Sequence, residues 1–197
     1  SDDAREPRAE HGDDGGALDH AANHLRRSGA DVVAGAVPDA LDAGLETLRT
    51  IMLAEGARAI GPMQARERSR LSATLNAGLD AGRGGGGEAA DLSSGARAMV
   101  DRQAMIAAAT HWLCDCDALL APPAPAPAPE GHSTTGDPSC CTFASLTGFP
   151  AITLPIGYGR NGLPVGMQLV GRAGEDDALL GVAAWCESKL PRWRGLV

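Results

Sequence analysis

Cysteines at 114, 116, 140, 141 and 186 are the most reactive side chains in this sequence. A thiolate can hold a metal or attack a carbonyl, so spacing decides which chemistry is open. Cys114-x-Cys116 and the adjacent Cys140-Cys141 lack the roughly two-to-four-residue separation that lets two thiolates converge on one tetrahedral ion, and no metal site is expected. An odd count at such short separations fits no secreted disulfide framework, which leaves free thiols packed as small apolar groups. The competing use pairs Cys114, Cys140 or Cys141 with His111 or His132 as thiolate and imidazole, chemistry that also needs an orienting group and an oxyanion site. Ser93-Ser94-Gly95 offers a second nucleophile. Its base would have to be Lys189, the single lysine of the chain, which sits beside Pro191 where a cation facing a helix end and water is the ordinary arrangement. His11, His20 and His24 fall in a charged tail and on an exposed helix face, in solvated roles.

These groups must be positioned by a chain of 197 residues, 44% hydrophobic and long enough for one domain with a core. The net charge is −8, with six acids against two arginines in residues 1–16, so that segment is expected to be a disordered acidic tail and 17–197 the folded part. No basic stripe is present, which argues against nucleic-acid binding. The uncharged runs at 117–129 and 139–157 are broken by proline or glycine and too short to span a membrane. No apolar leader opens the chain and no Met begins it, so a trimmed or partial cytoplasmic protein is expected.

All six aromatic residues lie beyond residue 111, and the two parts of the chain read differently. Leu18, Ala21, Ala22 and Leu25 have helical spacing before Gly29. Residues 30–33 read as a short strand, and Leu41, Leu45, Leu48, Ile51 and Met52 carry a second helix to Glu55. Periodicity weakens over 61–80. A Gly-rich surface loop is expected over 82–95, because Arg83 and the four glycines after it lack the strand and the G-K-[ST] of a phosphate cradle. A long helix over 97–114 leads to a buried strand at 117–121. The Pro-rich stretch 121–135 reads as an extended loop or as a polyproline ligand. Strands at 151–156 and 165–170, joined through Asn161-Gly162, predict an antiparallel pair, and a helix over 175–190 closes the chain.

From Asp117 onward the sequence reads D-A-L-L-A-P-P, then T-G-D-P at 135–138, G-F-P-A-I-T-L-P-I-G at 148–157, G-L-P-V-G-M-Q-L-V-G at 162–171, and E-D-D-A-L-L before Ala183-Ala184-Trp185-Cys186-Glu187. In this order the blocks resemble the carboxy-terminal portion of amidase signature family hydrolases. Upstream, L-R-R-S-G-A-D-V at 25–32, Val37-Pro38 and Ala54-Glu55 match in arrangement, so the resemblance runs over roughly 17–190.

The resemblance implies an α/β fold, part of a mixed sheet covered by helices on both faces. It also implies amide hydrolysis through an acyl-enzyme, with a serine activated through a second serine on a cis peptide by a lysine. The family's lysine and its G-G-S-S-G-G segment lie amino-terminal to everything matched here, and Leu92 and Ala96 flank Ser93-Ser94-Gly95 where the family has glycines. No catalytic residue is therefore expected in this chain, which alone should be inactive, and no cofactor is implied. Asp137, Cys141 and Phe143 are the residues expected to line the acyl-binding cleft, Asp137 either anchoring a substrate amine or amide or capping the helix that follows. The partners implied are a small-molecule amide, a missing amino-terminal half or a second copy. A non-catalytic assembly module, or an A-type subunit of a glutamine-dependent tRNA amidotransferase, would carry the same pattern.

Overall fold

A computed structural model describes residues 14–83, 92–159 and 162–191. These fall into two compact units. Of the described residues, the first takes 14–36, 112–144, 148–159 and 162–191; the second takes 37–83, 92–111 and 145–147.

The first unit is built on a sheet of three strands, β1 (Leu119–Ala121), β2 (Ala151–Tyr158) and β3 (Pro164–Val170), in the order β1-β3-β2 with both pairings antiparallel. The expected antiparallel pair is present. The mixed sheet of the family is represented among the described residues by antiparallel strands alone. Register places Ile152 opposite Leu169, Leu154 opposite Met167 and Leu120 opposite Leu169, which gathers one apolar face. Two helices, α1 (Asp14–Arg27) and α6 (Asp176–Lys189), supply Ala21, Leu25, Leu179, Ala183 and Cys186 to that same core. Each large aliphatic closed off there contributes about 1.5–3 kcal/mol.

Of the two faces, α1 and α6 share one; on the other, Gln168 and Val170 of β3 are buried, while Ala151, Thr153 and Pro155 of the edge strand β2 are exposed. Burial along β2 alternates accordingly, as in a strand with one solvated face. Pro155 is tolerated because β2 is an edge of this sheet, where its missing N–H breaks no ladder, and a bulge follows between Pro155 and Gly157. Leu119–Ala121 is half-buried rather than buried, since β1 is the other edge.

Residues 30–33 form no strand, with Val33 76% exposed; the Val32 carbonyl accepts from Arg26 Nε at 2.8 Å instead of from a ladder partner. Helix α1 takes in the last three residues assigned to the tail, Asp14 to Gly16, and the rest of the tail lies outside the described residues.

In the second unit, α2 (Gly44–Glu67) runs twelve residues past the expected end at Glu55 and carries Pro62 inside it. A single 3-10 turn at Arg68–Arg70 leads into α3 (Ala73–Gly82), which packs back on α2. Ser72 caps α3, its hydroxyl accepting from the Leu75 N–H at 3.2 Å. The Gly-rich loop expected over 82–95 is helical at both ends: Gly82 closes α3 and α4 (Leu92–Trp112) begins at Leu92, while 84–91 lie outside the described residues. Ile51, Ala98, Met105 and Leu146 form this unit's apolar core. Among the described residues no helix is long and apolar enough to cross a membrane.

Candidate functional site

The segment from Thr135 to Pro150 carries all three residues expected to line a cleft. Asp137 precedes Pro138, whose fixed φ turns the chain so that one carboxylate oxygen, Oδ1, accepts from the Ser139 N–H at 2.8 Å. That bond holds the entry to a single 3-10 turn, Ser139–Cys141, which continues as α5 (Thr142–Thr147). Asp137 thus performs the helix-entry role, and its second oxygen has no hydrogen bond among the described residues. Helix α5 ends at Gly148, which takes φ +77° and returns its N–H to the Ala144 carbonyl at 2.8 Å. A side chain with a Cβ is disfavoured in that left-handed conformation, so glycine here sets the angle at which Phe149-Pro150 enter β2.

Cys141 is exposed, and its Sγ donates to the Pro123 carbonyl at 3.4 Å, tying the start of the Pro-rich loop to the turn. On the neighbouring residue, the Cys140 carbonyl accepts from Gln168 Nε2 at 3.3 Å, which fastens the same turn to the central strand β3. Phe143 is half-buried in the middle of a row of three rings. It meets Trp112 edge-on at 6.0 Å and Phe149 edge-on at 5.9 Å, the arrangement aromatic quadrupoles prefer. Asp137, Cys141 and Phe143 therefore belong to one short segment anchored at Pro123, at β3 and at Trp112.

The anchoring by Gln168 and the aromatic row went unread in the sequence. The confinement of every aromatic to positions beyond 111 was the available signal for the row; nothing in the sequence marks Gln168, a polar residue in an apolar strand, as a tie to Cys140.

The thiols show little sign of activation. Burial pushes the Cys140, Cys116 and Cys186 thiols up from their ordinary value, which disfavours the nucleophilic thiolate. All five cysteines are free. Among the described residues no hydrogen bond or ion pair links His132 to a cysteine, and no group of three or more histidine, cysteine, aspartate or glutamate side chains could hold a metal ion. Lys189 places its ammonium over the Trp185 ring, 5.8 Å from the centroid, and belongs to the first unit; Ser94 is an exposed residue of α4 in the second.

The family model for amidases matches residues 11–180. A curated relative, the A-type subunit of the glutamyl-tRNA(Gln) amidotransferase of Wolinella succinogenes, is 45% identical over 75 residues, 34% of this chain and 16% of that protein. The fatty acid amide hydrolase of Arabidopsis thaliana is 48% identical over 48 residues, 24% of this chain and 8% of its own length. Among solved structures, an amidase aligns with TM-score 0.75 at 27% identity, covering 89% of this chain and 42% of that one. The 6-aminohexanoate cyclic dimer hydrolase complexed with substrate shares the fold with TM-score 0.70 at 23% identity, over 96% of this chain and 43% of that one. The chain spans under half the length of each of these proteins. With a family match over most of its residues and the sheet and helices of an amidase, the chain belongs to the amidase family.

Proposed function

We propose that this chain is the carboxy-terminal part of an enzyme that hydrolyses the carbon–nitrogen bond of a linear carboxamide in the cytosol. The observation that carries this reading is the family match over residues 11–180. In the chemistry the family resemblance implies, a serine oxygen adds to the amide carbonyl, the carbon–nitrogen bond breaks as the amine leaves with a proton, and water then cleaves the acyl-serine ester. The serine, the cis-serine and the lysine of that reaction lie outside this chain, whose single lysine is engaged with Trp185. The five free thiols fit a reducing compartment.

In the whole enzyme Asp137, Cys141 and Phe143 line the acyl-binding cleft, and no metal or organic cofactor takes part. Asp137 holds a substrate amine or amide through its second oxygen, while Phe143 contributes ring surface fixed by its two neighbours. The exposed face and edge of β2 take the amino-terminal half of the amidase domain. The amidotransferase relatives favour a second reading, in which the whole protein is the A-type subunit of a glutamine-dependent tRNA amidotransferase.

Ammonia release from simple carboxamides tests the main reading. The purified chain alone should give none, and co-expression with an amidase amino-terminal half carrying G-G-S-S-G-G and its lysine should give turnover. Turnover by the chain alone would overturn the assignment of the catalytic groups. Turnover of glutamine but of no simple carboxamide in the reconstituted protein would favour the amidotransferase.

A further inference from the structure

Away from residues 135–150, the first unit holds a cleft of about 260 Å³ between α1, the end of β2 and the residues that follow α6. One wall is a stripe of α1, His20, Asn23, His24 and Arg27, whose spacing of three and four residues puts all four on one helix face. The opposite wall is Tyr158, and Ile156 and Leu190 supply apolar surface. Among the described residues no carboxylate lines the cleft.

Asn23 and Arg27 bring donors to this wall. Arg26 donates to the Val32 carbonyl and to Asn23 Oδ1, both at 2.8 Å, and the Asn23 amide N–H groups have no hydrogen bond among the described residues. Arg27 has no ion pair or hydrogen bond among the described residues, and a guanidinium is charged at any ordinary pH. His24 Nε2 lies 2.8 Å from the Lys189 carbonyl, which can only accept, so this contact fixes the ring with a proton on Nε2. The end of a helix normally repels anions through open carbonyls. Here the carbonyls of His24, Leu25 and Arg26 accept from the N–H groups of Ser28, Ala30 and Gly29.

We infer that this cleft binds a short-chain carboxylic acid, its carboxylate on Arg27 and Asn23 and its alkyl tail against Ile156 and Leu190. An unspent guanidinium matches a carboxylate in two-point geometry. The apolar surface beside it favours an acid with a tail over a bare inorganic anion, and the volume is below the range that takes drug-sized ligands. This inference stands apart from the amidase reading, because its test needs no turnover.

Isothermal titration of the full chain at constant ionic strength, with sodium hexanoate, 1-hexanol and inorganic phosphate as probes, tests it. Hexanoate should saturate one site and bind at least about tenfold more tightly than hexanol or phosphate. Arg27→Gln should weaken hexanoate by about tenfold or more, while Arg58→Gln, which removes the same charge from α2, should leave it within about twofold. Amide chemical-shift changes should concentrate at 20–27 and 156–158. Absence of saturable hexanoate binding, equal affinity for phosphate, indifference to Arg27→Gln in a variant whose circular dichroism is unchanged, or shifts centred elsewhere would each overturn it.

Discussion

The two compact units hide their interiors with different materials. In the first, Leu25, Met167 and Val170 are almost wholly closed off, and the sheet pairs such residues across strands. In the second, the stripe of α2 that turns inward is Gly44, Thr47, Ile51, Ala57, Gly61 and Gln64, and Met52, Met63, Met99 and Val100 face outward. The sheet core is held by burial of large aliphatic groups; the second unit also buries Ile51, Leu79, Met105 and Leu146, but the α2 stripe of glycine, alanine and amide groups adds close backbone approach and hydrogen bonds.

This contrast predicts where each unit breaks. Met167→Ala removes a wholly buried side chain from the central strand and should cost about 2–5 kcal/mol in chemical denaturation. Met52→Ala, at a position 60% exposed in the second unit, should change stability by about 0.5 kcal/mol or less. Equal losses would erase the distinction.

The second unit should respond instead to added volume. A Cβ at Gly82 would run into the Leu53 carbonyl, and backbone cannot give way as a flexible side chain does. Gly82→Val should therefore destabilise by about 1–3 kcal/mol or more, read by the same denaturation. A neutral result would show that α3 does not approach α2 this closely.

A smaller effect is expected from the polar network on the same hairpin. The Arg68 guanidinium, bonded to both oxygens of Asp80, is the main cause that holds this carboxyl down to about 2, with Gln64 Nε2 adding a bond at 3.1 Å. Protonation is thus harder in the folded than in the unfolded chain, so the stabilisation is present above the unfolded value of about 4 and fades as pH falls towards 2. The stability difference between the chain and Asp80→Asn should be small at neutral pH, because the pair is exposed, and should shrink towards zero on acidification. A difference that grows on acidification would contradict the network.

Legibility in the sequence followed the same division. The strands at 151–158 and 164–170 and the helix Leu179-Ala183-Cys186-Leu190 were readable because their inward positions are aliphatic or cysteine. The continuation of α2 past Glu55 was not: its stripe is regular, but written in Ala57, Gly61 and Gln64, and Pro62 reads as a stop. Val32-Val33 looked like a strand on propensity alone and found no partner to pair with. In the candidate site, Asp137 ahead of Pro138 disclosed its backbone bond to Ser139. The row Trp112–Phe143–Phe149 depends on contacts between residues distant in sequence, which spacing does not encode.

The proposed function requires that the reactive serine and lysine of this amidase lie outside the chain. Intact-mass spectrometry after treatment with a fluorophosphonate measures this directly, since an activated serine adds the reagent irreversibly. The mass of the purified chain should be unchanged, and when it is assembled with an amidase amino-terminal half the adduct should fall on that half. A stoichiometric adduct on any serine of this chain, Ser94 included, would contradict the account.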